Sequence, residues 1–150
     1  MAPCVFAQGN ENNSREVSGG IVTNFLSTPP AVGSSTLGTA TGDLRGGLGV
    51  VILGISPGQN GSTVFHVQHH WVTETGDTIF LADAYATAYP VSDVPGLFAA
   101  KYLQGVSIVG GTGRFAEATG NIASWGAVDL NTGQIVLRYQ GTICFHRPEQ

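Results

Sequence analysis

With 150 residues, 22 of them glycine and only 11% charged, the chain is sized for a single domain with a sizeable core. A formal net charge of −4 at pH 7, with six Lys and Arg residues, argues against nucleic acid as a partner, since nucleic-acid binding requires stripes of positive charge. No apolar run approaches the roughly 18 residues of a membrane-spanning helix, so no membrane span is expected. No signal peptide is recognisable, and the localisation stays open between the cytoplasm and secretion as a mature fragment.

Strand-forming residues interrupted by frequent glycine predict an all-β domain. The first predicted strand covers residues 17–26 and is followed by a loop that contains Pro29-Pro30. Glycines within residues 36–55 allow a bend or bulge, so this segment is interpreted as one long or bent strand. Further strands are predicted at 63–73, 78–89, 97–108, 121–130 and 134–145, the segment 97–108 beginning as a short helix or an irregular stretch.

Short turns rich in glycine and asparagine connect the predicted strands. Strong turn sequences occupy residues 56–61, 74–77 and 131–133, and the last two join hairpins. Successive antiparallel strands joined in this way favour an up-and-down β-barrel, which removes exposed sheet edges. We therefore predict a flexible N-terminal arm over residues 1–15, a single β-barrel domain over 16–146 and a C-terminal tail over 147–150.

The two cysteines, Cys4 and Cys144, lie near opposite ends of the sequence. In a closed barrel the first and last strands are neighbours, so a disulfide between these residues is geometrically possible. The alternative is two unpaired thiols, one of them on a frayed terminus, as expected in a reducing compartment. The sequence leaves both alternatives open.

The strand predicted at residues 63–73 has two chemically different faces, because side chains alternate along a strand. One face is apolar apart from His69, so we expect it to pack against other parts of the protein. The other face mixes apolar side chains with His66, Gln68 and His70, as a ligand cavity does; the alternative is that this face meets solvent. His66 and His70 lie about 13 Å apart along a strand and cannot share one ion, so no metal site is expected.

Further polar candidates stand on other predicted strands. Asp83 and Tyr85 share one face, where Asp83 inside an apolar barrel could carry a proton. Asp43 and Arg45 share a face and could form an ion pair or hold a polar end of a substrate, and Arg138 needs either solvent or a carboxylate partner. The candidate catalytic residues are His66, His70, Asp83 and Asp43, and the candidate substrate-binding residues are Arg45, Gln68, Tyr85, Trp125 and Arg138.

Residues 109–120 read Val-Gly-Gly-Thr-Gly-Arg-Phe-Ala-Glu-Ala-Thr-Gly. Glycine occurs where the backbone must adopt a positive φ or pass close to another segment, so this pattern predicts a shaped corner between two strands. With strands on both sides, no lysine and no following helix, it does not fit a phosphate-binding loop. The segment resembles the Gly-Gly-Thr-Gly-x-Phe-x-x-Ala-x-Gly signature shared by plant dirigent proteins and allene oxide cyclases.

The resemblance extends over roughly residues 36–145. Residues 37–42, 67–76 and 126–144 look like the early strand motif, the Phe-x-x-Thr hairpin and the closing hairpin of dirigent proteins. The resemblance implies an eight-stranded antiparallel β-barrel with a mostly apolar pocket, no cofactor and assembly into a homo-oligomer, a dimer or trimer. The chain departs from the dirigent pattern at Arg114, where some members have an acidic residue, and at Thr119, where they have an arginine associated with their site.

Two activities are implied by this resemblance. Allene oxide cyclases shape a reactive fatty-acid epoxide for ring closure, and dirigent proteins hold reactive phenolic intermediates so that their coupling is stereoselective. The leading hypothesis is a cofactor-independent isomerase or cyclase of secondary metabolism, which binds a small hydrophobic reactive metabolite in the barrel. The alternative is a non-catalytic dirigent-type or small-molecule-binding barrel. A third possibility is a structural barrel that is packed solid. A pocket of about 300 Å³ or more with a few convergent polar groups would support the first two hypotheses, and a filled interior would exclude both.

Overall fold

The computed structural model describes Cys4 and residues 13–146, whose regular structure is β-strand apart from three short 3₁₀ turns. The turns are Gly42–Leu44, Gln59–Gly61 and Gly113–Phe115. Among these residues no helix has the length and apolar character needed to cross a membrane. The ten strands are β1 (Ser14–Phe25), β2 (Ser35–Ala40), β3 (Gly46–Pro57), β4 (Thr63–Thr73), β5 (Thr78–Leu81), β6 (Ala84–Pro90), β7 (Leu97–Tyr102), β8 (Val106–Gly111), β9 (Thr119–Asp129) and β10 (Gln134–Cys144).

The strands close into a barrel in which successive neighbours pair antiparallel. β4 pairs with β5 along one half and with β6 along the other, so β5 and β6 are two parts of one barrel strand interrupted at residues 82–83. β7 and β8 are likewise two parts of one interrupted strand, and both pair with β9. β9 pairs with β10, and β10 pairs with β1, which closes the ring. The predicted eight-stranded antiparallel up-and-down barrel is therefore confirmed.

Residues 36–55 form a hairpin, and the interpretation as one long or bent strand is wrong. β2 and β3 pair antiparallel, and the chain reverses between them through the turn Gly42–Leu44. Gly42 has a φ of +83°, and a Cβ at this position would collide with the backbone of Ser18 and Gly19. Glycine therefore permits both the reversal of the chain and the close packing of the turn against β1.

Other differences concern where elements begin. Residues 97–102 are strand β7, without the short helix considered for this segment. β1 begins at Ser14, within the predicted arm of residues 1–15. Residues 1–3 and 5–12 of that arm and the predicted tail, 147–150, lie outside the described residues.

The glycine-rich segment 109–120 closes one end of the barrel. β8 ends at Gly111, the turn Gly113–Phe115 follows, and β9 begins at Thr119. Phe115 and Ala118 are 0% exposed, and the Arg114 guanidinium lies over the Phe115 ring, 4.6 Å from its centroid. The predicted corner between strands is thus also a plug that fills this end.

The buried core occupies the half of the barrel next to the plug. Inside it, the rings of Trp71 and Tyr139 meet edge to face, with centroids 5.2 Å apart and an interplanar angle of 89°. Leu44 from the β2–β3 turn enters the same cluster, so the turn and the plug seal this end together. The members of the core cluster are Val17, Ile21, Ala40, Leu44, Leu48, Trp71, Ile79, Ile108, Phe115, Ala118, Ile122, Tyr139 and Ile143.

The Tyr139 hydroxyl ties the β2–β3 turn to the core. It donates a hydrogen bond to the Thr41 carbonyl (2.6 Å) and accepts one from the Leu44 backbone N–H (2.9 Å). The Trp71 indole N–H donates to the Leu44 carbonyl (2.8 Å). Burial raises the pKa of Tyr139, so its hydroxyl remains a donor at neutral pH. Side chains therefore satisfy backbone groups of this turn that strand pairing leaves free.

Replacing Tyr139 with phenylalanine is expected to lower the free energy of unfolding by about 1–3 kcal/mol, because the buried Leu44 N–H loses its acceptor while the ring packing is kept. Urea unfolding of Tyr139→Phe and of the unsubstituted protein measures the change. Tyr85→Phe is the matched control: Tyr85 is 59% exposed, so its change should stay within about 0.5 kcal/mol. Equal losses in the two variants would contradict the role assigned to the Tyr139 hydroxyl.

A disulfide joins Cys4 to Cys144, whose Cα atoms are 5.5 Å apart. Cys144 is the last residue of β10 and lies opposite Ser14 of β1 and Thr119 of β9 in the sheet register. The bridge therefore holds Cys4 beside the sealed end of the barrel, where the first and last strands meet. Of the two alternatives for the cysteines, the structure shows the disulfide.

Candidate functional site

A cavity occupies the half of the barrel that the core leaves unfilled. The space inside it that is open to the centres of water molecules is about 90 Å³. Five residues belong both to the core cluster and to the cavity lining, so they form its floor: Ile21, Leu48, Trp71, Ile122 and Tyr139. At the opposite end, the half-buried side chains of Phe25, Phe65 and Val128 mark the mouth where the cavity meets solvent.

Apolar side chains supply most of the cavity wall, because the inward positions of the strands are predominantly aliphatic or alanine. Three alanines, Ala86, Ala88 and Ala100, line one side and leave the space that larger residues would fill. Besides the floor and mouth residues, the other apolar lining residues are Val50, Ile52, Val67, Leu81, Val106, Ile135 and Leu137. The polar or charged residues that contribute to the lining are Thr23, Thr36, His69, Thr87, Lys101, Tyr102, Ser124 and Tyr139.

A histidine–tyrosine pair is the principal polar feature of this wall. His69 lies between Val67 and Trp71 on the inward face of β4 and is 9% exposed. Its Nε2 is 2.8 Å from the hydroxyl of Tyr102, the last residue of β7, and the two ring centroids are 5.3 Å apart. Because the barrel strand is interrupted directly after Tyr102, this side chain lies where β7 gives way to β8.

Both members of the pair are neutral at pH 7. The pKa of His69 is lowered to about 4, chiefly because burial disfavours the imidazolium and secondly through repulsion from His70; Asp83 opposes the shift. Burial raises the pKa of Tyr102, so its hydroxyl stays protonated. The cavity therefore offers hydrogen bonding without a net charge on this pair.

The His69 Nδ1 atom is buried and has no hydrogen-bond partner among the described residues. Buried polar atoms are satisfied in the large majority of cases, and an exception indicates a missing partner such as a water or a ligand. The atom is closed to a water-sized molecule, so a molecule in the cavity does not touch it in the described conformation.

The expectation that the His66–Gln68–His70 face lines the cavity is wrong. Val67, His69, Trp71 and Thr73 are the buried residues of β4, so the apolar face points inward. His66 is half-buried, and Gln68 and His70 are exposed. In a small barrel the interior is filled by side chains like any other core, so the more apolar face is the inner one.

Three of the predicted site residues meet on the outside of the barrel. His66 Nε2 is 3.5 Å from the Asp83 carboxylate, and the His66 ring stacks on Tyr85, with centroids 4.6 Å apart and planes 10° apart. His66 and Tyr85 are register partners across β4 and β6, which explains the stacking. Asp83 therefore lies beside a histidine at the surface and not within an apolar pocket.

The remaining predicted site residues are separate surface features. The Asp43 carboxylate accepts a hydrogen bond from the Ser18 N–H (2.9 Å), and Arg45 lies 3.8 Å from Glu74, with both side chains largely exposed. Trp125 and Arg138 are register partners on the outer faces of β9 and β10, and both are exposed. None of the nine predicted site residues contributes to the lining of the described cavity.

Sequence reasoning missed both His69 and Tyr102 as site residues. The available signal for His69 was a lone titratable side chain on an otherwise apolar strand face, since a buried polar residue is more informative than an exposed one. Tyr102 carried no comparable signal, because its proximity to His69 depends on the pairing of β7 with β6 and β9.

Among solved structures, a pterocarpan synthase dirigent protein is similar to this chain: the match covers 95% of this chain and 91% of that chain, with 13% sequence identity and a TM-score of 0.35. No protein-family model matches the chain, and no curated protein matches it.

Proposed function

We propose that the protein binds a small hydrophobic molecule in the barrel cavity and fixes its orientation, as a non-catalytic dirigent-type or small-molecule-binding barrel. The supporting observation is an apolar cavity above a sealed floor, with the neutral His69–Tyr102 pair in its wall. Apolar walls favour binding because removing apolar surface from water contributes about 25 cal/mol per Å². A few fixed polar groups then set the orientation.

The size of the cavity limits the ligand. Pockets for drug-sized ligands enclose about 300–1,000 Å³, and the space found here is about 90 Å³. The ligand is therefore a small molecule, or the apolar end of a longer one that projects through the mouth. A homo-oligomer, implied by the family resemblance, stays a prediction that native mass spectrometry would test along with any ligand retained after purification.

Ligand binding can be followed through Trp71, which forms part of the cavity floor. The other tryptophan, Trp125, is 43% exposed on the outer face, so Trp125→Phe leaves the cavity tryptophan as the sole indole emitter. Toluene, cyclohexanone and a ten-carbon monoterpene are titrated separately. We expect at least one of them to change the fluorescence of Trp71 until the change reaches saturation. No saturable change with any of them, together with no retained ligand by native mass spectrometry, would contradict the proposed function.

Filling the cavity should abolish this binding. Ala100→Leu adds three carbon atoms to a residue that lines the cavity. We expect the tightest probe to bind at least about 10-fold more weakly, because the cavity cannot hold both the larger side chain and the probe molecule. Ala99→Leu makes the same substitution at the adjacent, exposed position of β7 and should leave the affinity unchanged. Similar affinities for the two variants would place the ligand outside the cavity.

A second candidate function is a cofactor-independent isomerase or cyclase. It is favoured by the contact between the His69 imidazole and the Tyr102 hydroxyl, since such a pair can pass a proton to and from a bound molecule. The test is exchange of the α-protons of cyclohexanone for deuterium in D₂O, followed by NMR. An exchange rate that is higher with the protein than in buffer, and that returns to the buffer rate with the double variant His69→Leu/Tyr102→Phe, would support catalysis. An exchange rate equal to the buffer rate with the unsubstituted protein would contradict proton transfer to this ligand.

The catalytic residues proposed from sequence enter the same test. His70 is exposed on the outer face and Asp83 lies in the surface cluster with His66. If the chemistry takes place in the cavity, His70→Ala and Asp83→Ala should each leave the exchange rate unchanged. A large loss in either variant would support an active site on the outside of the barrel.

A further inference from the structure

The outer face of the barrel carries a tryptophan between two cations. Trp125 of β9 is the register partner of Lys101 on β7 and of Arg138 on β10, so the three residues form one row across three adjacent strands. All three are exposed, and Trp125 keeps 43% of its surface open to solvent. Residues directly opposite each other in a sheet have Cβ atoms about 5 Å apart, so each cation stands beside the indole.

The other residues around Trp125 leave its indole uncovered. Ala123 and Ala127, two positions before and after it on β9, share its face and are exposed. Ala99 and Val136 are the register partners of Ala127 on the two neighbouring strands. These side chains are short and none of them is acidic. A flat molecule can therefore lie against the indole without displacing a larger residue.

Lys101 borders the cavity, yet its ammonium group lies on the outside of the barrel. The residue is exposed, and its Nζ atom is 5.9 Å from the ring centroid of Tyr89, which does not contribute to the cavity lining. Alternation along β7 agrees, because the neighbours that face inward are Ala100 and Tyr102. None of the ion pairs among the described residues includes Lys101 or Arg138. The row therefore presents two positive charges without a carboxylate partner in that part of the chain.

We propose that this row binds an acidic polysaccharide, with the ring of a hexuronate sugar against Trp125 and carboxylates of the chain paired with Lys101 and Arg138. A pyranose ring presents an apolar C–H face that can cover an indole, and burial of that face favours binding. A guanidinium group holds a carboxylate through two parallel hydrogen bonds, and an ammonium group pairs with another as a point charge. The proposal concerns the outer wall and does not depend on the cavity or on the function proposed for it.

The spacing of the two cations favours a chain over a single sugar or another partner. The cations lie two strands apart, which separates their backbones by about 10 Å. Each sugar of a linear uronate chain carries a carboxylate, so one chain can meet both cations while a ring between them covers the indole. An acidic peptide supplies carboxylates without a rigid apolar ring face. An anionic membrane is disfavoured, because its recognition uses clusters of about four to eight Lys or Arg residues. A second copy seated by the same face would bring like charges together.

The closing experiment measures, by NMR titration at physiological ionic strength, the affinity of an oligogalacturonate for the unsubstituted protein and for surface variants. The methyl ester of the same oligomer, whose rings carry no charge, is the control ligand, and we expect it to bind at least about 10-fold more weakly. Trp125→Ala should weaken binding of the acid about 10-fold, and Lys101→Gln and Arg138→Gln about 5-fold each. Arg15→Gln removes an equal charge near the start of β1 and should change the affinity by less than about 2-fold, because salt screens distant charges.

The same titration shows where the oligomer binds. The indole N–H resonance of Trp125, identified by its absence from Trp125→Phe, should shift until binding reaches saturation. A resonance that stays in place during saturable binding would overturn the proposal, because the ligand would then lie elsewhere.

The remaining outcomes distinguish the site from a general effect of charge and from other partners. Equal affinities for the acid and its methyl ester, or equal losses in Arg15→Gln and Arg138→Gln, would overturn the proposal. The absence of saturable binding would overturn it too. In that case, Trp125-dependent association with vesicles of phosphatidylserine and phosphatidylcholine, or with a second copy of the chain, would assign the row to a membrane or to an oligomer interface instead.

Discussion

Breaking the disulfide through Cys4→Ala is expected to lower the free energy of unfolding by about 4–5 kcal/mol. The bridge joins residues 140 positions apart. In the chain-entropy model, closing so long a loop removes a large part of the conformational freedom of the unfolded chain, and the stabilisation grows with loop length. A loss of this size is about a quarter or more of the free energy of unfolding of an ordinary domain.

Urea unfolding measures this effect, because the midpoint and the slope are obtained together. The unsubstituted protein under strong reductant is the control and should unfold at the same urea concentration as Cys4→Ala. Since the bridge acts on the unfolded chain and lies at the sealed end, probe binding at low urea should be unchanged. A loss below about 1 kcal/mol in both samples would show that the bridge constrains the unfolded chain little.

Stability should also fall by about 3 kcal/mol between pH 7.5 and pH 4 through His69 alone. The pKa of His69 is about 4 in the folded protein and 6.5 in an ordinary unfolded chain. Below pH 6.5 the unfolded chain therefore binds a proton that the buried imidazole does not, and each further pH unit favours unfolding by about 1.4 kcal/mol until pH 4 is reached. The stabilisation is complete above pH 6.5 and is lost on acidification.

The measurement is best made between pH 7.5 and pH 5, where most carboxylates still carry their charge. Between these two pH values we expect His69 to lower the free energy of unfolding by about 2 kcal/mol. The double variant His69→Leu/Tyr102→Phe keeps every other group that titrates in this pH range, so its free energy of unfolding should fall by about 2 kcal/mol less. Parallel pH profiles for the two proteins would show that His69 titrates normally and is not buried as described.

The architecture could be predicted from sequence because turns and strand alternation are local signals. The turns at 74–77 and 131–133 join hairpins as expected, since glycine and asparagine at those places favour reversal. The hairpin within residues 36–55 was missed because its turn, around Gly42, is surrounded by other glycines and lacks a strong turn sequence of its own. Its conformation depends on packing against β1, a contact distant in sequence.

The site could not be predicted in the same way, because which side of a strand points inward is determined only when the barrel closes. Alternation correctly divided residues 64–72 into two faces, yet it gave no sign of which face turns inward. The mixture of His66, Gln68 and His70 suggested a cavity wall, whereas the actual wall is the apolar face with His69 as its exception. Tyr102 joins His69 only through the pairing of distant strands.

The plug at Phe115 gives the barrel a blind end. A cavity that is closed at one end is entered and left through a single opening. A second ligand molecule could therefore enter only behind the first and would prevent the first from leaving. Joining two separate molecules inside would require both to lie one behind the other in this small cavity. The proposed ligand would therefore occupy the cavity as a single molecule and leave through the mouth by which it entered.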